Sequence, residues 1–174
     1  MLQPNLESSR LFLRPFTLED APIVQNFVSD RRVAETTAGI AHPYPDGEAK
    51  EWISGHAASW EKMDTAHFAI VVSQTSELVG AISLMDINNQ AAELGYWVGF
   101  PHWGHGYCTE AAITLCNFGF STLGLNVVIA KFLVTNHGSG SVLRKCGFIR
   151  TGSEAVDWRN GGQATLECYE LRHA

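Results

Sequence analysis

Trp103-Gly104-His105-Gly106-Tyr107-Cys108-Thr109-Glu110 sets two glycines directly ahead of an apolar run with helical spacing. Glycine at such a junction lets the backbone turn tightly and lets a ligand approach main-chain N–H groups. At a helix start those groups point outward and the dipole adds positive potential, a geometry that suits a phosphate or pyrophosphate. A nucleotide triphosphatase loop needs a lysine followed by Ser or Thr, and a dinucleotide fingerprint needs a third glycine at the start of a parallel unit. Neither is present. On their own, the glycines are equally well explained by a tight turn.

A second ordered pattern, Asn136-x-x-Ser139-x-x-Val142-Leu143-x-Lys145-x-Gly147-Phe148, directly follows an apolar, branched run. Taken singly, Asn136 suits a turn and Ser139 a helix N-cap. Cys108, Cys116, Cys146 and Cys168 are widely spaced with no CxxC, which predicts reduced thiols and neither a disulfide framework nor a zinc site. There is no HExxH, and His102 and His105 lack a nearby carboxylate-and-thiol ligand set, so no metal is expected.

The elements that must position these groups follow from periodicity. Residues 10–16 read as a short strand stopped at Pro15, and Thr17 caps a helix that carries Pro22 in its first turn and runs to Val28. Residues 36–47, with Gly39, Pro43, Pro45 and Gly47, are a loop, and residues 48–61 a helix. Three β-rich runs, 67–72, 78–84 and 91–98, predict an antiparallel meander. Residues 109–123 form a helix, 127–134 a buried strand, and 139–146 a short helix closed by Gly147. Asn160-Gly161-Gly162 then joins a final hairpin.

A chain of 174 residues that is 45% hydrophobic suits one domain with a substantial core. Its net charge of -6 argues against a broad nucleic-acid surface and mildly favours a cationic partner. The first residues lack a basic segment, apolar run and cleavage site, and no stretch approaches the ~20 apolar residues of a membrane span. A soluble, cytoplasmic protein is the expectation.

Read together, "RLFLRPFTLEDA", "LVGAISL", "AELGYWV", "WGHGYCTEAA" and the Asn-to-Phe pattern resemble the GNAT acyltransferase superfamily. Within it, the chain is similar to the branch of bacterial ribosomal-protein N-terminal alanine and serine acetyltransferases. The resemblance spans nearly the whole chain, implying one domain over residues 1–174. It implies an α+β fold with a mixed, mostly antiparallel sheet of six to seven strands, flanked by about four helices. Two central parallel strands, 91–98 and 127–134, would splay to form a cleft, with acetyl-coenzyme A as donor and no metal.

In the family pattern Q/R-x-x-G-x-G/A, Trp103 stands at the first position, Gly106 at the fourth, and Cys108 replaces the usual small final residue. The resemblance therefore assigns the pyrophosphate to the stretch Trp103, Gly104, His105, Gly106, Tyr107, Cys108 and Thr109. It sets backbone groups of Trp97, Val98 and Gly99 along the pantetheine arm, with Asn136 and Ser139 on its other side. Glu93 matches an acidic position and would accept the amine proton, while the Val98 N–H would meet the oxyanion. Relatives use a tyrosine on the later helix to protonate the leaving sulfur; residues 131–148 contain none, and Ser139 is the nearest substitute. Cys108 and Cys146 lack an evident His partner, so direct transfer is expected rather than an acyl-cysteine.

Acceptor choice would lie in the first two helices, their loop and the last hairpin, with Glu35, His42, Tyr44, Trp52, Asp86, Glu93 and Asp157 as candidate liners. The expected acceptor is a primary amine, foremost a protein or peptide N-terminal α-amine, whose reference pKa of about 7.7 to 8.0 leaves part of it neutral. A polyamine, amino acid or drug-like amine is the alternative, as is a coenzyme A-binding module that regulates without turnover. Homodimers are frequent in this branch.

Overall fold

The computed structural model describes residues 1–174, the side chain of Asn160 excepted. Its strands are β1 (Leu6–Glu7), β2 (Leu11–Arg14), β3 (Ala66–Val72), β4 (Glu77–Asn88), β5 (Ala91–Val98), β6 (Val127–Leu133), β7 (Ile149–Asp157) and β8 (Gln163–Arg172). They form one sheet in the order β1-β2-β3-β4-β5-β6-β8-β7, antiparallel except between β5 and β6. The helices are α1 (Ala21–Ser29), α2 (Arg31–Ala34), α3 (Glu48–Ser54), α4 (His56–Glu61), α5 (Tyr107–Ser121) and α6 (His137–Lys145).

Alternation along the strands divides the core between two faces of the sheet. Leu11, Leu13, Phe68, Ile82 and Leu94 join Leu115 of α5 and Leu143 of α6 in one cluster. Phe12, Ala69, Val71 and Ala81 join Val24 and Val28 of α1 and Ile53 of α3 in the other. Leu11 and Leu13 are fully buried, and each such side chain contributes about 1.5–3 kcal/mol by leaving water. Helix α1 follows a capping box in which Thr17 and Asp20 serve one another's backbone, and Asp20 is further held by both guanidinium arms of Arg14 at 2.8 and 2.9 Å.

The sheet has one strand more than expected, the two-residue β1 paired to β2. Strand β4 runs on to Asn88 because a register shift after Met85, with Asp86 at φ 51°, carries it past polar residues. Asn89 and Gln90, both at positive φ, then make the tight turn into β5. The helix expected over residues 48–61 is divided at Gly55, a poor helix former, and α2 is an additional short turn capped by Asp30. The final hairpin pairs β7 with β8 from Ile149↔Glu170 to Asp157↔Gln163.

One feature of the sheet creates the site. Parallel pairing of β5 with β6 runs from Ala91↔Val127 to Leu94↔Ala130 and stops. Beyond that point β5 stays with β4 as far as Val98↔Gly80, and β6 stays with β8 as far as Leu133↔Leu166. The two strands part, and a wedge opens between their C-terminal ends.

Candidate active site

The wedge leads into a cavity of about 1130 Å³ that reaches from the start of α5, past β5 and α6, to the α2–α3 loop. Its backbone polarity follows from the ladder. The Gly99 N–H donates to the Val79 carbonyl at 2.8 Å, so the alternate residue, Val98, turns its N–H away from β4. With β6 departed, that N–H faces the wedge. The Val98 carbonyl accepts the Trp103 indole N–H at 2.7 Å, which ties the glycine loop to the end of β5.

Helix α5 begins at Gly106, whose φ of 78° and ψ of 13° are left-handed and strained for any residue with a Cβ; Gly104 has φ 81°. The first bond of the helix runs from the Glu110 N–H to the Gly106 carbonyl at 3.2 Å, so Tyr107, Cys108 and Thr109 carry N–H groups that precede any intrahelical acceptor. A Cβ on Gly104 would meet nothing within 4 Å, which leaves the approach to these donors open.

Glu110 would oppose an anion there, but it is neutralised. Its carboxylate accepts from the Arg10 N–H, from Arg10 Nε and from Ser8 Oγ, each at 2.7 Å. These contacts hold its pKa below the ordinary carboxylate value against the opposing effect of burial. Arg10 also donates to the His105 carbonyl at 2.9 Å and lies over the Tyr107 ring.

Across the wedge, Asn136 rather than Ser139 caps α6, its side chain accepting from the Ser139 N–H at 3.2 Å. Ser139 Oγ lies 2.8 Å from the hydroxyl of Tyr96, which comes from β5. Burial pushes the Tyr96 pKa well above its usual value, so this phenol stays protonated. Cys108 and Cys146 are pushed up to about 12 and about 11, first by burial, which makes them poor nucleophiles at neutral pH.

On the opposite face, Glu93, Gly95 and Trp97 of β5 share a side with Met85, Ser83 and Ala81 of β4. Burial raises the Glu93 pKa, with Lys131 pulling it back and Asp86 and Glu154 adding to the rise. His67 of β3 reaches Ser83 Oγ at 2.7 Å and stacks on His56 at 4.0 Å, with Trp52 set edge-on against both imidazoles. Burial lowers His67 to about 4 and His56 to about 3, so both rings are neutral. Over the mouth, Nη2 of Arg159 donates to the carbonyls of Ala34 at 2.9 Å, Thr37 at 3.1 Å and Ile40.

Of the residues singled out from the sequence, Glu93, Ser139, Val98, Trp97, Trp103, Gly104, Gly106, Tyr107, Cys108, Thr109 and Asn136 line this one cavity, together with Glu35, Tyr44 and Trp52. Gly99 does not. Its N–H is taken by Val79 and its carbonyl by the His102 N–H, and a Cβ there would strike the Phe27 ring at 2.4 Å. His105 also lies outside, its ring stacked on Tyr107 and its Nδ1 near the His102 carbonyl. His42, Asp86 and Asp157 are absent from the lining. Sequence reasoning missed Tyr96, Arg10, His67 and Arg159; only Tyr96 and Arg10 stood inside motifs already quoted. Among the described residues no cluster of three or more metal-ligating side chains occurs, and no helix is long and apolar enough to cross a membrane.

The family model of the acetyltransferase (GNAT) domain matches residues 10–149. The chain is similar to the uncharacterized N-acetyltransferase p20 of Bacillus licheniformis, 33% identical over 150 residues that cover 84% of this chain and 83% of that one. Among solved structures it is similar to a ribosomal L7/L12 α-N-protein acetyltransferase in complex with coenzyme A, with a TM-score of 0.84, 19% identity, and 97% and 98% of the two chains covered. It is also similar to the spermidine N-acetyltransferase of Vibrio cholerae in complex with coenzyme A and spermine, with a TM-score of 0.81, 20% identity, and 95% and 96% covered. Parted strands, a glycine-led helix start and a match over most of the length agree, and the chain belongs to the GNAT acetyltransferase family.

Proposed function

We propose that the chain transfers an acetyl group from acetyl-coenzyme A directly to the α-amine of a peptide or protein N-terminus. The observation that carries this reading is the wedge beyond Leu94 and Ala130, which exposes the Val98 N–H to the cavity that Glu93 also lines and opens onto the α5 N-terminus. The residues present fit the donor. Open space at Gly104, the left-handed turn at Gly106 and the leading N–H groups of α5 form an anion cradle, and the Arg10–Glu110 pair neutralises the acid of the first helical turn. When bound, the donor supplies an acetyl group activated as a thioester.

Glu93 takes the proton of the attacking amine, directly or through water, its raised pKa making it a better base than a solvated carboxylate. Val98 donates its N–H to the oxygen that gains charge as nitrogen attacks. Ser139 holds the departing sulfur, and a thiol of reference pKa about 8.5 leaves without full protonation. Positioning carries the remaining burden.

Charge supports a single amine over a polyamine. The cavity is lined by the carboxylates Glu35, Glu48 and Glu93 and by the cations Arg32, Lys131 and Lys145, with no acidic surplus for a polycation. Glu35 is further tied to Arg31 at 2.6 Å. Its volume exceeds the roughly 300–1,000 Å³ usual for a small-molecule site, which leaves room for the end of a peptide beside the donor.

The test is calorimetric titration with acetyl-coenzyme A, alongside thiol release against short peptides, spermidine and free amino acids. Binding with release on peptides supports the reading. Release on spermidine alone would move the acceptor to the polyamines, and absence of binding would remove the donor assignment.

A further inference from the structure

The Tyr96–Ser139 contact holds more information than its 2.8 Å length. Tyr96 projects from β5 and Ser139 from α6, so the two hydroxyls meet across the wedge; both residues line the cavity. The tyrosine oxygen is also 3.3 Å from the Ser139 main-chain carbonyl. Two protons are therefore shared among three oxygens, and there are two ways to arrange them. In one, Tyr96 donates to Ser139 Oγ and leaves the serine proton free. In the other, serine donates to the tyrosine oxygen and Tyr96 donates to the carbonyl, so the cleft meets only a serine lone pair.

We propose, building on the acetyltransferase reading above, that Tyr96 is a positioning residue for departure of the thiol: its hydroxyl sets which way the Ser139 proton points. As the carbon–sulfur bond breaks, its electron pair goes to sulfur and the new carbon–nitrogen bond forms. The amine proton goes to the Glu93 carboxylate. The sulfur leaves as a thiolate, and Ser139, with Tyr96 donating to its oxygen, turns its own proton to that thiolate. No proton leaves Tyr96 in this step. Transfer from a phenol held protonated by burial to a thiolate of far lower basicity would be uphill, whereas reorienting two hydroxyl protons needs no ionisation. The paired arrangement also serves the reverse situation, since the alternative set of bonds offers a protonated thiol an acceptor.

The groups around the pair do not take over this role. Cys108 and Cys116 of α5 and Cys146 after α6 act on Tyr96, and burial pushes all three thiols up, to about 12, about 12 and about 11. His137 and Lys145, at the two ends of α6, line the same cavity. Neither is hydrogen-bonded to the Tyr96 hydroxyl, whose partners are both on Ser139.

The experiment is calorimetric binding of coenzyme A from pH 7 to 9.5 by the wild-type chain, Tyr96→Phe and Ser139→Ala, with melting curves for each. Phenylalanine keeps the packed ring and deletes the hydroxyl. In the wild type the affinity for coenzyme A should rise as its thiol ionises, and at the alkaline end exceed that of Tyr96→Phe by about tenfold, the factor set by one unit of thiol pKa. Ser139→Ala should lose the same pH dependence, and the double variant should lose no more than either single one. Acetyl-coenzyme A, which has no thiol, should bind all three alike.

With an active acceptor, Tyr96→Phe should lower kcat while leaving the KM for acetyl-coenzyme A within a few-fold. Identical pH profiles in wild type and Tyr96→Phe would overturn the inference while leaving the proposed function standing. A wild type that binds no coenzyme A at any pH would remove both. Should Tyr96→Phe fail to fold, Ser139→Ala decides alone: an unchanged pH profile overturns the pair.

Discussion

Arg10 and Glu110, one hundred residues apart in sequence, meet at 2.7 Å across the start of α5 and cancel a negative charge beside its leading N–H groups. Their contact makes the proposed donor site depend on the β1–β2 turn, an element remote from it in the chain. Arg10→Ala frees the Glu110 carboxylate in the first helical turn and should weaken acetyl-coenzyme A binding several-fold, more at low ionic strength. Adding Glu110→Gln should restore most of the loss. Calorimetry on the single and double variants checks this, and equal affinity in all three would assign the pair to folding alone.

Gly106 carries a sharper demand. Any side chain there is strained at φ 78°, costing about 1–2 kcal/mol of stability, and a Cβ would lie 3.4 Å from Arg10 Nη2. Gly106→Ala and Gly106→Glu share that strain. Only the glutamate should also cost donor affinity, by more than roughly tenfold, because it sets a charge against the helix N-terminus. Parallel melting and titration separate the two effects.

On the proposed function, Glu93 ties activity to a cost in stability. Its pKa is raised in the folded chain, so between the ordinary carboxylate value and that raised value the folded state binds the proton more tightly, and stability falls as pH rises. At pH 8 the charged group is a standing penalty. Glu93→Gln should therefore melt higher than wild type at pH 8 while its kcat falls by at least about tenfold. The deficit should be greatest between the raised carboxyl pKa and the amine pKa, and shrink once the amine is neutral in solution. A kcat–pH profile with melting temperatures at the same pH values tests both parts.

His56 has the opposite sign. Both its ring nitrogens are buried without a partner, and its pKa falls to about 3, while that of stacked His67 falls to about 4. The unfolded chain takes up these protons near pH 6.5 and the folded chain refuses them, so stability is held above 6.5 and lost as pH falls toward 4. His56→Phe keeps an aromatic ring against Trp52 and Phe16. It should gain about 1 kcal/mol at pH 7 by removing unsatisfied polar atoms, and lose less stability than wild type between pH 7 and 5. Denaturant titrations at the two pH values measure the difference.

The elements were legible wherever local pattern decides them. Strand β5 is bounded by polar Asn89-Gln90 and by Gly99, and its residues 91–98 follow directly from alternation. Helix α5 was recognisable from its glycine start. The wedge was not, because its opening after Leu94 depends on β6 remaining with β8, a pairing made by residues 163–172. The hydroxyl that meets Ser139 was equally hidden: residues 131–148 hold no tyrosine, and the one that arrives lies 43 residues upstream on β5. Arg10 read only as the first residue of a strand. Its partner Glu110 read only as the last residue of the glycine-led stretch, and nothing local links them.

On the proposed function, the strap made by Arg159 would let acceptor choice and chemistry change independently of each other. One guanidinium nitrogen, from the tip of the last hairpin, organises the last carbonyl of α2 and two carbonyls of the α2–α3 loop, more than a hundred residues earlier. Neither segment contributes to the anion cradle or to the Tyr96–Ser139 pair. Lengthening the hairpin or reshaping the loop would re-aim the mouth without disturbing the groups proposed to move protons. Such an architecture can acquire new amine partners through changes at its rim while its interior stays as it is.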